Sequence, residues 1–220
     1  GAKPLMFLDY FASSSIDSEL VKSFVEGVSM SCRYSFCNLM GGETAEMPGV
    51  YQTGKIDIVG TIVGVVENSK MINGKKDIKL GNKVYGLKSN GPHTNGYSLI
   101  RKVYSQNKDL RIFPELLTSH KSYLDEIKLL WRKNIKINGL CHITGGGFYD
   151  NIPRVLPEGL GVDLKFQIQD IYRELGNTGG IEDRELLTVF NCGYGMLIFV
   201  DDGVEMPLGY DYLGEVCEGE

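Results

Sequence analysis

The chain has 220 residues, enough for one large domain or two small ones, and its 42% hydrophobic content can fill proper cores. A net charge of −5 excludes a general nucleic-acid binder, because neutralising phosphates takes a basic surface. Five cysteines, odd in number and without a Cys-x-x-Cys pair, exclude a disulfide scaffold and fit the reduced thiols of a cytoplasmic protein.

No membrane span is expected, since the longest apolar run, 58–66, is short and interrupted by glycines. No charged stretch precedes an apolar one at the N-terminus, so no signal peptide is expected. Residues 5–10 are apolar on both faces and predict a strand covered on both sides. Domains seldom open inside a strand, so more chain is expected before Gly1. Ser15 or Asp17 can cap a helix whose stripe Leu20, Val21, Phe24, Val25 and Val28 runs to about residue 34.

A short strand over 36–40 then leads into Gly41-Gly42-Glu43-Thr44-Ala45-Glu46-Met47-Pro48-Gly49. Read as a loop, this run offers backbone amides beside two carboxylates, a combination suited to phosphates and their Mg²⁺. Residues 49–55 match the front of a Walker A loop, but Ile56 replaces its Ser or Thr, and a strand comes next where a helix is required. That strand, 56–67, is apolar on both faces, with Gly60 and Gly64 marking bulges or close approach. A second subunit could complete its cover.

Residues 68–82 are polar and lysine-rich and read as a linker, with a strand over 83–87 opening a second unit. Asn95 can cap a helix carrying Tyr97, Ile100, Val103 and Tyr104, and a further helix carries Tyr123, Leu124, Ile127, Leu130 and Trp131. Strands are predicted at 140–143, 196–200 and 212–216, with a short helix over 148–155. The acidic run Glu182-Asp183-Arg184-Glu185 reads as a solvated helix start. The fold class is α+β, in two units at 1–80 and 81–220.

Two histidine segments stand out. Ser89-Asn90-Gly91-Pro92-His93-Thr94-Asn95-Gly96 places His93 between a strand and a helix, where it either meets a ligand or hydrogen-bonds within a tight turn. His142-Ile143-Thr144-Gly145-Gly146-Gly147 ends a strand and leads into a helix, so its glycine amides can receive a phosphate monoester. His120, between Ser119 and Lys121, reads as a solvated surface residue. Asp9 is either a strand-end cap or a metal ligand. Residues 191–196, Asn-Cys-Gly-Tyr-Gly-Met, read as a structural lead into a strand.

These segments, with Gly1-Ala2-Lys3-Pro4, Phe7-Leu8-Asp9-Tyr10-Phe11-Ala12 and 190–196, occur in an order that resembles the aminoimidazole ribonucleotide synthetase (phosphoribosylformylglycinamidine cyclo-ligase) family. The resemblance implies two α+β domains: an N-terminal ATP-binding and dimerising one, and a C-terminal substrate-binding one. Its implied activity is an enzyme of purine biosynthesis, closing formylglycinamidine ribonucleotide to aminoimidazole ribonucleotide at the expense of ATP. It implies ATP at Asp9, Gly41, Gly42 and Glu43, and Mg²⁺ at Asp9, Glu43 and, more weakly, Glu46. It further implies proton transfer or amide orientation by His93 and His142, and nucleotide substrate on Asn95, Gly96, Thr144, Gly145, Gly146 and Gly147. A cytoplasmic homodimer is implied in the same way.

Against that family, the 220 residues do not include the long segment it carries ahead of Gly1, with a glycine-rich nucleotide loop, a lysine and aspartates, nor the aspartate that opens its Gly-Ala-x-Pro motif; 201–214 is short, and Asn82 stands where the family has Asp. A non-catalytic dimerising fragment, or another ATP-using enzyme of the same superfamily, are the alternative functions.

Overall fold

The computed structural model describes residues 1–108, 110, 111 and 113–219. The chain folds as two compact units, Gly1–Met71 and Ile72–Glu220. Both mix helices with a sheet, as the α+β reading requires. The division falls inside the expected linker, ahead of the expected 80/81 boundary. Burial explains the offset: Ile78 is 2% exposed and packs into the core of the second unit, so the end of the linker folds with that unit.

The first unit is built from β1 (Lys3–Ser13), α1 (Ser18–Tyr34), β2 (Asn38–Glu46) and β3 (Ile56–Val65). Its sheet has the order β2-β1-β3, with β2 parallel and β3 antiparallel to the central β1. Asp17 caps α1, its carboxylate accepting from the amides of Glu19 and Leu20, and so satisfies donors the first helical turn leaves open. Phe24 of α1 meets Phe11 of β1 at a ring-centroid distance of 5.4 Å, which seats the helix on one face of the sheet. The Phe7 ring lies over Gly60 of β3, where a Cβ would sit 2.5 Å from Cζ. Gly60 therefore marks a close approach, as expected.

Two expectations for this unit change. The run 41–46 is not a loop: it continues β2, pairing along β1 as far as Ser13 and Glu46. Its amides lie in a sheet ladder, and the register shift opposite Phe7 and Leu8 is where the strand absorbs an extra residue. The covered strand is also less covered than its apolar pattern suggests. Leu5, Met6 and Leu8 of β1, and Ile56, Ile58, Val59, Ile62, Val63 and Val65 of the edge strand β3, are exposed.

The second unit begins with α2 (Gly74–Asp77) and centres on a five-stranded antiparallel sheet of order β5-β7-β4-β8-β6. The strands are β4 (Lys83–Lys88), β5 (Gly139–His142), β6 (Leu160–Leu164), β7 (Tyr194–Val200) and β8 (Asp211–Glu218). The helices are α3 (Tyr97–Gln106), α4 (Leu124–Arg132), α5 (Gly147–Asn151), α6 (Asp170–Gly179) and α7 (Asp183–Val189).

Strand alternation divides its core between the two sheet faces. Leu197 and Phe199 of β7 pack with Ile100, Val103, Tyr172, Leu175 and Leu186 on one side. Ile198 and Val200 pack with Ile127 and Leu130 of α4 on the other. β6 and α6 escaped the sequence reading. β6 is a short strand interrupted by glycine and aspartate, and α6 contains two glycines, so neither shows a strong period. Among the described residues no helix is long and apolar enough to cross a membrane.

Candidate functional site

β4 and β5 both pair with β7, and each delivers a histidine segment to the region where β7 begins. After β4 the chain makes a tight turn in which the Asn95 amide donates to the Pro92 carbonyl at 3.1 Å. The two central residues, His93 and Thr94, have φ of 52° and 65°, the pattern of a type I′ turn. For residues other than glycine such backbone costs on the order of 1–3 kcal/mol each, so neighbouring contacts must hold it.

Asn191 supplies several of those contacts. Its Nδ2 donates to the Gly91 carbonyl at 2.8 Å, while its Oδ1 accepts from Ser89 Oγ, Tyr172 Oη and the Gly193 amide. The segment 191–196 is structural, as expected, and it shapes the histidine turn. Asn95 does not cap α3. Its side chain donates to the His93 carbonyl, and Gly96, with φ 75°, takes the cap position. The turn consumes the Asn95 side chain before the helix begins.

His93 is 3% exposed. Its Nε2 lies 2.8 Å from Asn90 Oδ1, whose amide group is oriented by a donation from Nδ2 to the Ser119 carbonyl. His93 Nδ1 is buried without a hydrogen-bond partner. Gly195 leaves the room the ring needs: a Cβ there would lie 2.8 Å from His93 Nδ1 and 2.0 Å from Tyr123 Oη.

His120 stacks on His93, with centroids 4.1 Å apart and planes at 18°, and its Nε2 is 3.3 Å from Nε2 of His142. The reading of His120 as a mere surface residue is thereby corrected. It is exposed, but it joins the two histidines the sequence singled out. The chain between Pro114 and α4 carries it there, and no periodicity in Ser119-His120-Lys121 announces that course. Tyr123 completes the group, its ring edge-on to both His93 and His142.

Electrostatically, the cluster favours neutral rings. Burial, then the neighbouring His120, His142 and Lys121 charges, lowers the His93 pKa to about 4. Burial also lowers His120, and burial followed by His120 lowers His142. Lys121 pairs with Glu126 at 2.9 Å, which offsets its charge. Neutral imidazoles can accept or donate a proton, or give a lone pair to a metal.

Beside the cluster, Asn151 organises the glycine loop. Its Nδ2 donates to the carbonyls of Thr144, Gly145 and Gly147, and its Oδ1 accepts from Thr144 Oγ1. Gly146 and Gly147 have positive φ, and the Gly147 amide donates to the Thr144 carbonyl. The expected helix is brief, α5 passing into a 3-10 turn at Ile152.

In the first unit, β1 and β2 place Asp9 opposite Gly42, and Tyr10 opposite Glu43. Partners across a ladder share a face, so Asp9 and Glu43 point to opposite faces of the sheet. Glu46 lies on the Asp9 face, yet its Oε2 accepts from the Ile16 amide at 2.7 Å, where it fixes the entry to α1. The three acids expected to share Mg²⁺ therefore do not converge, and among the described residues they form no metal-binding group. Their sequence proximity misleads because alternate residues of a strand face opposite ways. Gly41 and Gly42 are strand residues, and Gly42 accommodates the Asp9 carboxylate, since a Cβ there would lie 2.5 Å from Asp9 Oδ1.

Comparison with known proteins places this architecture. Residues 1–66 match the family described as AIR synthase related protein, N-terminal domain, and residues 79–205 match its C-terminal domain. The chain belongs to the AIR synthase related family. A phosphoribosylformylglycinamidine cyclo-ligase from Clostridium perfringens is 45% identical over 210 residues, covering 92% of this chain and 62% of the relative. Another of that name, from Bacillus mycoides, is 42% identical over 216 residues, with the same coverage. The chain thus spans less than two thirds of the length of these relatives. Among solved structures, Aquifex aeolicus thiamine monophosphate kinase superposes with a TM-score of 0.68 at 17% identity, covering 100% of this chain and 72% of the other. The Escherichia coli hydrogenase maturation protein HypE gives 0.71 at 17%, covering 100% and 69%. At that identity the likeness concerns the fold.

Proposed function

We propose that the protein to which this chain belongs closes formylglycinamidine ribonucleotide to aminoimidazole ribonucleotide, releasing ADP and phosphate, and that the second unit carries the substrate side. The reading is carried by the meeting of His93 and His142 in one neutral cluster, in a chain 42–45% identical to proteins named for this reaction. The histidines come from separate segments that the sequence singled out independently.

An amide oxygen is a poor leaving group. In the proposed reaction, transfer of the γ-phosphoryl group of ATP to that oxygen makes the carbon electrophilic. The internal amine then attacks, the ring closes and phosphate departs. A neutral histidine within reach can take the proton the amine loses, and a second can hold the amide in line. His142, the less enclosed of the two sequence-predicted histidines, fits proton exchange. His93, fixed by Asn90, fits orientation. Asn95, Gly96, Thr144 and the loop Gly145–Gly147 would border the ribose phosphate.

ATP use finds support in a fold neighbour described as HypE in complex with ATP. Asp9, Gly41, Gly42 and Glu43 remain the positions proposed for it. The Mg²⁺ that accompanies ATP finds no joint site in Asp9, Glu43 and Glu46, so no step is routed through it. The exposed apolar edge at β3 supports a homodimer, and a cytoplasmic setting accords with the free cysteines.

The test is an assay of the purified protein with formylglycinamidine ribonucleotide, ATP and Mg²⁺, following ADP and aminoimidazole ribonucleotide in parallel with thiamine monophosphate as substrate. Ring closure alone is expected. Phosphorylation of thiamine monophosphate without ring closure would reassign the enzyme within its superfamily, and binding of neither nucleotide would favour a dimerising fragment.

A further inference from the structure

Three imidazoles, one each from the β4–α3 turn, the segment before α4 and the end of β5, gather, and among the described residues no carboxylate or thiol belongs to the group. One ring nitrogen from each can be chosen so that all lie within 4.8 Å of one another. Cys141, next to His142 on β5, belongs to the hydrophobic core and stays outside the set.

The contacts at Asn90 bear on which His93 nitrogen has a lone pair to give. Asn90 Nδ2 is committed to the Ser119 carbonyl, so Oδ1 is the atom that meets His93 Nε2. The Asn90 backbone N–H also donates toward Nε2, at 3.3 Å, but the oxygen acceptor at 2.8 Å is the closer contact and favours the proton on Nε2. Nδ1 is left with a bare lone pair, buried and without a partner. An outer partner that fixes the tautomer in this way is the usual support of a metal-bound histidine. Leaving a buried polar atom unmatched is costly, so the orphan asks for a ligand.

The other two rings supply a distance. Their Nε2 atoms are 3.3 Å apart. Two nitrogens bound tetrahedrally to one Zn²⁺ at about 2.0–2.1 Å would stand about 3.3–3.4 Å apart. The stacking of His93 and His120, with centroids 4.1 Å apart and planes at 18°, holds their lone pairs in nearly parallel planes, so one ring must turn for all three to converge. His120 is the ring free to do so, being exposed and carried on irregular chain.

We propose that His93, His120 and His142 form a binding site for a divalent d-block cation of the zinc type. Three neutral nitrogen donors suit Zn²⁺, Co²⁺, Ni²⁺ or Cu²⁺, whereas Mg²⁺ and Ca²⁺ require oxygen. Three protein ligands leave a fourth position for water or a ligand atom. The site stands on the rings alone and needs no part of the ring-closure reading. Because it occupies the same lone pairs, the ion and any substrate using His142 compete.

Titration of the chelator-stripped protein with Co²⁺, without nucleotide, tests the site. One equivalent is expected, with the visible absorption of four-coordinate Co²⁺, no sulfur charge-transfer band, and displacement by Zn²⁺ but not by Mg²⁺. His120→Asn and His142→Asn should each weaken binding by more than the about 10–100-fold that loss of an outer-shell partner costs. Thermal unfolding of each metal-free variant verifies that it folds, which matters less at these outer positions than at His93. Absence of stoichiometric binding, a thiolate band, or unchanged affinity in both folded variants would overturn the proposal. None of these outcomes bears on ring closure, which is assayed separately.

Discussion

Asn191 donates from Nδ2 to the carbonyl of Gly91 at 2.8 Å, joining residues 100 positions apart. Through this bond the lead into β7 holds the turn that presents His93. Three further bonds to its Oδ1 make Asn191 the hub of a buried polar group.

Replacing it tests that role. Asn191→Ala leaves the Gly91 carbonyl and three donors without their partner, and should destabilise the protein by about 3 kcal/mol. Asn191→Asp keeps the acceptors but loses the donor to Gly91 and buries a charge, so it should also destabilise. Urea unfolding of both variants measures this. A change within about 0.5 kcal/mol, the range of ordinary surface substitutions, would remove Asn191 from the account.

A second polar group gives a pH dependence. The Asp201 carboxylate accepts from Asn138 at 2.6 Å and from Asn82 at 3.2 Å, and its pKa is lowered, chiefly by the Asn138 bond. The unfolded chain then binds the proton at higher pH than the folded chain does. The stabilisation is complete above the ordinary carboxylate value of 3.8 and is lost as pH falls through the lowered folded value. Asp201→Asn should flatten the acid limb of a plot of urea midpoint against pH. An unaltered limb would contradict the assignment.

Cysteine chemistry offers a third check. Cys192 is fully buried, and burial first, then Asp183, pushes its thiol up to about 12. Cys217 on β8 is only half-buried. Iodoacetamide at neutral pH should label Cys217 in the native protein and reach Cys192 only in denaturant. Peptide mapping reads the order, and early labelling of Cys192 would mean that the β7 lead opens readily.

The exposed face of the first sheet carries the dimer reading. Val59 pairs with Tyr10 and Val63 with Met6, so they lie on one face, and both valines and Met6 are exposed. The double substitution Val59→Glu/Val63→Glu should convert a dimer to a monomer in sedimentation velocity. A wild-type protein that sediments as a monomer at micromolar concentration would end that reading.

Sequence and structure agree where pattern is strong. The stripe from Leu20 to Val28 marked α1, Asp17 marked its start, and the apolar run of 56–67 marked β3. Agreement failed where local signals conflict with longer-range pairing. Gly41 and Gly42 look like loop residues, yet β1 recruits them into a strand, and that strand turns Glu43 away from Asp9. His120 was illegible for the opposite reason, because nothing local records that its segment returns to β4 and β5. His93 and His142 were legible because glycine-rich turns after apolar runs mark strand ends, but only the fold shows that they meet.

The most direct measurement is the turnover of formylglycinamidine ribonucleotide by the His142→Asn protein. kcat should fall by about 10²–10⁴-fold, the usual contribution of a positioned acid or base, while the urea midpoint and nucleotide affinity stay near those of the parent. Unchanged turnover in a folded His142→Asn protein would contradict the proton-exchange role of His142.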